Sequence, residues 1–395
     1  MGVLGSSIAL CGTPTAAPDD EREMNGYWHG LYSGTNSGVM VVEIDDRTDH
    51  FEGCAYAYDS SAGLPSTFAI VKTTDKSNPT QFKAPLFPLD HRTGEPAEWQ
   101  HVAHLYTGRG ISVPNVADVE CEWNDQSLAM KWKTDIGTSG TAHLPRSQAG
   151  RPSTLVPLPI KSWQQFKEHV TKLDPYRYIF RGQTSTRRLR TAYHRTGRAD
   201  MRRFLIEDIP TLHRHLSART RHVFDLTNAL QNAAFFNLAQ HHGYPTPLLD
   251  WTYSPFVGAF FAYHRVKSSE ATRASDDQKV RIFVFDKVQW CSDMPPVLNL
   301  SARWQHFSIL EPIAIGNERL IPQQALSSFT TVDDIETYIR SRETANKRYL
   351  DAIDLPLRER DLVIRELRLM GITAGSLFPG LDGACEELRD RFFRL

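Results

Sequence analysis

Cysteine is scarce and unpatterned. The five residues, Cys11, Cys54, Cys121, Cys291 and Cys385, are odd in number and form no C-x-x-C pair. This excludes a disulfide-stapled scaffold or a zinc ribbon, and it points to free, mostly buried thiols in a cytoplasmic compartment. No apolar run approaches the 18 residues or so that a membrane helix needs, so no membrane partner is expected. The opening MGVLGSSIALCG fits M-G-x-x-x-S and loosely mimics a lipoprotein cleavage site. It lacks a charged leader, and Leu10 is too large to precede a lipidated cysteine, so residues 1–23 read as a disordered arm. A strong charge of one sign is also missing. The net charge of −1 argues against a non-specific polyanion binder. No G-x-x-x-x-G-K-[ST], H-E-x-x-H, G-x-S-x-G or G-x-G-x-x-G is present. His101 and His104 fall in a strand-like run and would face opposite sides, and the adjacent His241 and His242 cannot easily chelate one ion. No metal is expected.

What is present suggests two domains, because 395 residues exceed one ordinary core. Residues 24–146 read as β. GYWHGLYSG, GVMVVEID, FEGCAYAYD, TFAIVKT, WQHVAHLYTG, VADVECEWND and SLAMKWKT are short runs with partial alternation, separated by turn chemistry such as SSAGLPS and TTDKSNPT. Seven or so such strands imply an antiparallel barrel or sandwich. Trp28-x-Gly30-x-Tyr32-x-Gly34 resembles the start of small lipocalin-type barrels over one strand. The aromatics Trp28, Tyr32, Phe51, Tyr56, Trp99, Tyr106, Trp123 and Trp132 either fill a core or line a ligand pocket in the barrel mouth.

SQAGRPSTLVPLP, residues 147–159, reads as a linker. Residues 160–395 turn to an α+β pattern. Ser162 with Gln165 makes a capping box, and Val223, Leu226, Leu230, Ala234 and Leu238 stripe a long helix ending near Gly243. Ser254 caps a buried helix with Pro255 at its first position, and VRIFVFD and ILEPIAI read as strands. Thr331 with Asp334 opens a further capped helix.

Two stretches carry candidate chemistry. YRYIF is a short strand running into Arg181-Gly182, and residues 181–222 hold eleven arginines against three acids, which implies a local positive field or a solvated helix face. LLDWT ends an apolar run with Asp250, Trp251 and Thr252. A carboxylate there either satisfies turn N–H groups or faces a pocket, with Arg181 as its natural partner for binding phosphate or carboxylate.

FRGQ (180–183), QHHGYPTPLLDWTYSP (240–255), NERLIPQQALSSF (317–329) and GITAGSLFPGLDG (371–383), in this order, resemble the bacterial FRG domain, with His242 in place of the usual aromatic and Pro247 where Arg is common. The order Arg181, Thr252 leading into a helix, then Gln323-Gln324 is more distantly similar to ADP-ribosyltransferases. That likeness implies a split, mixed β-core and a site for NAD. Arg181 would clamp the pyrophosphate, Thr252 the nicotinamide ribose, and Trp251 or Tyr244 would stack on nicotinamide, with Gly182, Gln183 and His241 completing the binding set. Gln324 would stand in the motif position. The carboxylate that stabilises an oxocarbenium-like state would be Asp250, Glu318 or Glu311.

Three functions fit these residues. One is an NAD-consuming effector, an ADP-ribosyltransferase or NAD glycohydrolase of bacterial toxin or anti-phage type, with the β domain as sensor and a protein or nucleic acid as target. A second is a nucleic-acid binder or nuclease using the arginine-rich stretch. A third is a non-catalytic nucleotide- or partner-binding protein.

Overall fold

The computed structural model describes residues 23–61, 63–106, 110–297 and 302–393, so the arm expected at 1–23 lies almost wholly outside the described residues. The first half is a closed barrel whose eight strands follow one another around the wall in chain order. They are β1 (Gly26–Gly34), β2 (Gly38–Asp46), β3 (Phe51–Asp59), β4 (Thr67–Lys72), β5 (Thr80–Pro88), β6 (Val116–Trp123), β7 (Ser127–Thr134) and β8 (Ser139–Pro145). Closure comes from β1 pairing with β8, Tyr32 opposite Ala142, which removes both sheet edges.

Six of the seven expected runs are strands. WQHVAHLYTG is instead helical over Trp99–Val102 and Ala103–Tyr106. Its apolar residues Trp99, Val102, Ala103 and Tyr106 recur at helical spacing, so the strand expectation there is corrected. The missing strands are TQFKAPLFP and SGTAHLP. Prolines mask the first, although Pro85 pairs with Val116 and Pro88 with Thr67 where β5 changes partner.

The floor of the barrel is packed by Trp28, Phe51, Trp123, Leu128 and Leu144. Trp28 donates from Nε1 to the Met24 carbonyl at 2.9 Å, and the Arg146 guanidinium lies 4.1 Å from its ring centre.

The second half is built on one six-stranded sheet in the order β12-β13-β10-β9-β11-β14. Its strands are β9 (Tyr178–Gln183), β10 (Leu248–Thr252), β11 (Lys279–Asp286), β12 (Phe307–Leu310), β13 (Ala325–Thr330) and β14 (Leu350–Pro356). All its ladders among the described residues are antiparallel, so the mixed sheet that the resemblance implied is corrected. One face packs Phe180, Val280, Ile282 and Val284 against the helices Trp163–Val170, Pro255–Tyr263 and Arg360–Leu369. The other buries Ile179, Leu249, Trp251, Phe283 and Phe285.

The residue 147–159 stretch is laid on the second half. Leu155 enters its core and Leu158 N donates to the Ala352 carbonyl at 2.7 Å. The helix expected from Val223 begins at Ala229, where the Asn228 side chain accepts from Leu230 N and Gln231 N. Val223 and Leu230 are therefore exposed rather than part of a buried stripe. ILEPIAI keeps only its first two residues in a strand.

The halves meet along the outer wall of β1–β4. Asp45 of β2, 1 % exposed at its side chain, accepts from Arg198 Nε at 3.0 Å and Arg203 Nη1 at 2.9 Å. It also accepts from Ala199 N and Asp200 N. Glu43 Oε2 accepts from Met201 N, and Gln305 donates to the Tyr27 hydroxyl at 2.6 Å.

Candidate functional site

The sheet is nearly severed at its centre. β9 and β10 share a single pair, Thr252 opposite Phe180. Beyond it the strands part, leaving the Asp250 carbonyl without a ladder partner on that side. Arg181, one residue past Phe180, takes the place of the strand by donating from Nη1 to that carbonyl at 2.6 Å. Its Nε is enclosed and has no protein partner. Burial pulls the Arg181 pKa down and the nearby Asp250 charge pushes it back up. The guanidinium stays charged.

Asp250 is exposed on the face of β10 that carries the helix Ala229–His241. Gln240 at the end of that helix donates to its Oδ1 at 2.5 Å, and Gln240 in turn accepts from the Thr246 hydroxyl. Arg195 is exposed overall, yet its charge lies among those of Arg181, Arg190 and Asp250. Burial and repulsion from the two guanidiniums bring it down to about 10. On the other side, His241 is pushed down to about 4 by burial, Arg319 and His242, so it is neutral at pH 7. The parting of the strands thus leaves a locally positive gap. Arg181 and Arg195 face one carboxylate, Arg319 stands next to a neutral histidine, and none of the three guanidiniums makes an ion pair among the described residues. Such an excess of donors suits a doubly charged anion.

The structure brings some sequence candidates together and removes others. Arg181 and Asp250 meet at the gap, and His241 follows Gln240, which holds Asp250. Thr252 adjoins the gap but is 3 % exposed, and its hydroxyl donates to the Gln323 carbonyl at 2.7 Å and accepts from Ser254 N. It positions the turn and has no free donor for a ribose. Trp251 is 2 % exposed within the opposite core and donates to the Ser328 hydroxyl at 2.9 Å, so it cannot stack on a ligand. Tyr244 rests its ring on Phe204, with centroids 6.4 Å apart, in the helical cluster. Gly182 is a packing residue: a Cβ there would lie 2.0 Å from the Gly258 carbonyl oxygen. Gln183 donates to the Arg187 carbonyl and braces the next turn.

Gln324 is exposed with φ at +47°, and its carbonyl accepts from Tyr253 N. Gln323 instead reaches the Leu377 carbonyl. Glu318 is exposed, and Glu311 is bound by Lys287 and Tyr253. Asp250 is therefore the candidate carboxylate beside the guanidiniums. Among the described residues no group of His, Cys, Asp and Glu could hold a metal, and no helix is long and apolar enough to cross a membrane.

Arg195, Arg319 and Gln240 do not stand out in the sequence. Gln240 and Arg319 lie inside quoted motifs and Arg195 inside the arginine-rich stretch, but nothing in the sequence singles them out from their neighbours. The arginine-rich stretch is also corrected. Arg188 pairs with Asp334, Arg190 with Asp333, and Arg198 and Arg203 with Asp45. Four of the eleven arginines are thus neutralised internally, and the positive field rests on the remaining seven.

Residues 176–271 match the family model of the FRG domain, so this chain carries an FRG domain behind its barrel. No curated protein and no solved structure matches the chain.

Proposed function

We propose that the gap at the β9–β10 split binds the pyrophosphate of NAD and that the chain is an NAD-consuming effector. One observation carries this reading: Arg181 occupies the gap between parted strands with an enclosed Nε that no protein atom satisfies. A buried unpaired donor is costly, and a phosphate oxygen would pair it. Arg195 and Arg319 add charge on either side. In NAD cleavage the bond from ribose C1′ to the nicotinamide nitrogen breaks, and its electron pair leaves with nicotinamide. Water or an acceptor nucleophile then bonds to C1′ and loses a proton. Asp250 supplies the negative charge that steadies the oxocarbenium-like state. On this reading the barrel is the sensing or targeting module.

Purified full-length protein incubated with NAD should release nicotinamide, with and without cell extract as acceptor source. Arg181→Ala and Asp250→Asn should each abolish the release. No release under either condition would remove the enzymatic reading. A second reading, nucleotide binding without turnover, is favoured by Thr252 and Trp251, whose polar atoms are already spent inside the protein. Calorimetry with NAD giving tight, Arg181-dependent binding but no nicotinamide would select it.

A further inference from the structure

The barrel interior changes character along its axis. Below, the large side chains of Trp28, Phe51, Trp123, Leu128 and Leu144 fill the lumen, with Phe51 and Trp123 edge to face at 5.6 Å. Above, Ala55, Ala57, Ala69, Ala84 and Ala117 come from four strands and leave a cavity of about 170 Å³. An eight-stranded barrel is just wide enough either to be filled by its own side chains or to hold one small ligand, and alanines choose the second outcome. The cavity opens between the hairpin tips at Thr35-Asn36 and Ile136–Thr138 and the loops at Leu64-Pro65 and Ile111–Pro114.

The lining is mostly apolar, with small neutral polar side chains such as Thr35, Asn36, Thr67 and Thr138 among it. Among the described residues Asp59 is its one charged side chain. It accepts from the Tyr32 hydroxyl at 3.2 Å and from Ser61 N at 2.7 Å, and it makes no ion pair. Tyr32 and Trp132, with ring centroids 5.9 Å apart, line the same cavity. An unpaired carboxylate beside two electron-rich rings, at the mouth of an apolar chamber, is the environment an ammonium group prefers. We propose that the barrel binds a small, largely apolar amine, its body among the alanines and its ammonium on Asp59 between the Tyr32 and Trp132 rings. A dry cavity of roughly 150 Å³ accepts a benzene-sized body, so the ligand is an aromatic or compact aliphatic amine of about ten non-hydrogen atoms. The site belongs to the barrel alone and does not rest on the nucleotide reading of the FRG domain.

The test uses the full chain and three probes of one shape: phenethylamine, 2-phenylethanol and 3-phenylpropionate, titrated by calorimetry with ligand-observed NMR. Phenethylamine should bind saturably, the alcohol at least tenfold more weakly, and the acid undetectably. Asp59→Asn should bring the amine down to the affinity of the alcohol, and Ala84→Phe should block both. Arg181→Ala should leave amine binding intact, which separates this site from the nucleotide site. Absence of saturable amine binding, equal affinity for all three probes, or loss of binding in Arg181→Ala would each overturn the proposal. The wild-type probe comparison decides the matter even where a variant fails to fold.

Discussion

Gly182→Ala tests the claim that the glycine of the FRG segment is a packing residue and no phosphate cradle. A Cβ at this position would meet the Gly258 carbonyl oxygen at 2.0 Å and Ala262 N at 2.5 Å, both backbone atoms of the helix Pro255–Tyr263. Carbon approaches a carbonyl oxygen no closer than about 3.3 Å, so strand and helix must separate by roughly 1.3 Å. That interface holds Phe180, Val257, Ala259 and Ala262 at close to full burial. A gap of about 0.5–1 Å already forfeits a quarter to a half of each dispersion contact across it, and this one is wider. Overpacking of this kind costs about 3 kcal/mol, at the upper end of its usual range. For a domain of this size the apparent Tm should fall by roughly 6–12 °C. Thermal unfolding followed by circular dichroism measures this directly. Gly243→Ala is the control. Gly243 has φ at +85°, and an added Cβ would meet nothing within 4 Å, so only backbone strain applies. That costs about 1 kcal/mol and a few degrees. A Gly182→Ala protein melting within about 2 °C of wild type would refute the packing argument.

Four other outcomes follow from the same geometry. Asp45→Asn takes the shared buried carboxylate from between Arg198 and Arg203, which keep only the more exposed Asp208 and Glu207, and should destabilise the chain by about 3 kcal/mol, read as a lowered urea midpoint. Asp200 is raised to about 6, chiefly by burial. An acid raised in the folded state contributes stability that is complete below its unfolded pKa near 4 and is lost as pH rises through 6. Wild type should therefore lose stability relative to Asp200→Asn between pH 4 and pH 7, and parallel melting curves for the two would contradict this. Inorganic pyrophosphate should raise the Tm of wild type, and Arg181→Ala and Arg195→Ala should each at least halve that rise in a thermal-shift assay. Trp251→Phe should lower stability by about 1 kcal/mol, because Ser328 loses its indole donor. It should leave the KM for NAD unchanged, since the ring lies in the core.

Where a short apolar run is bounded by turn residues, the fold is legible in the sequence: β1, β2, β3, β6 and β7 are found this way, although of these only β6 alternates cleanly in burial. Legibility fails where two signals conflict. Pro85 and Pro88 argue against β5, which joins β4 to β6 in the barrel wall, and Trp99, Val102, Ala103 and Tyr106 fit a helix better than the strand read there. The Asn228 cap sits inside a run whose apolar residues continue upstream, so the pattern puts the helix start too early. Arg181 and Asp250 can be matched because both are polar residues in short apolar strands, inside quoted motifs. The fates of Thr252 and Trp251 cannot be read, since a hydroxyl bonded to Gln323 and an indole bonded to Ser328 depend on partners more than seventy residues away. Which arginines of the run are paired is hidden for the same reason: Asp45, Asp333 and Asp334, which hold four of the eleven, are remote in sequence.

Asp45 has a consequence for how this protein can be rearranged. Its carboxylate belongs to the barrel, while the four groups it serves belong to the other half. A gene cut at residues 147–159 would give one fragment with a bare acid on its wall and another whose Arg198 and Arg203 keep only Asp208 and Glu207 as partners. Grafting a different barrel onto this FRG domain would succeed only if the newcomer brought an acid to the same spot. The two halves are inherited as a fitted pair, whatever the composition of the segment between them suggests.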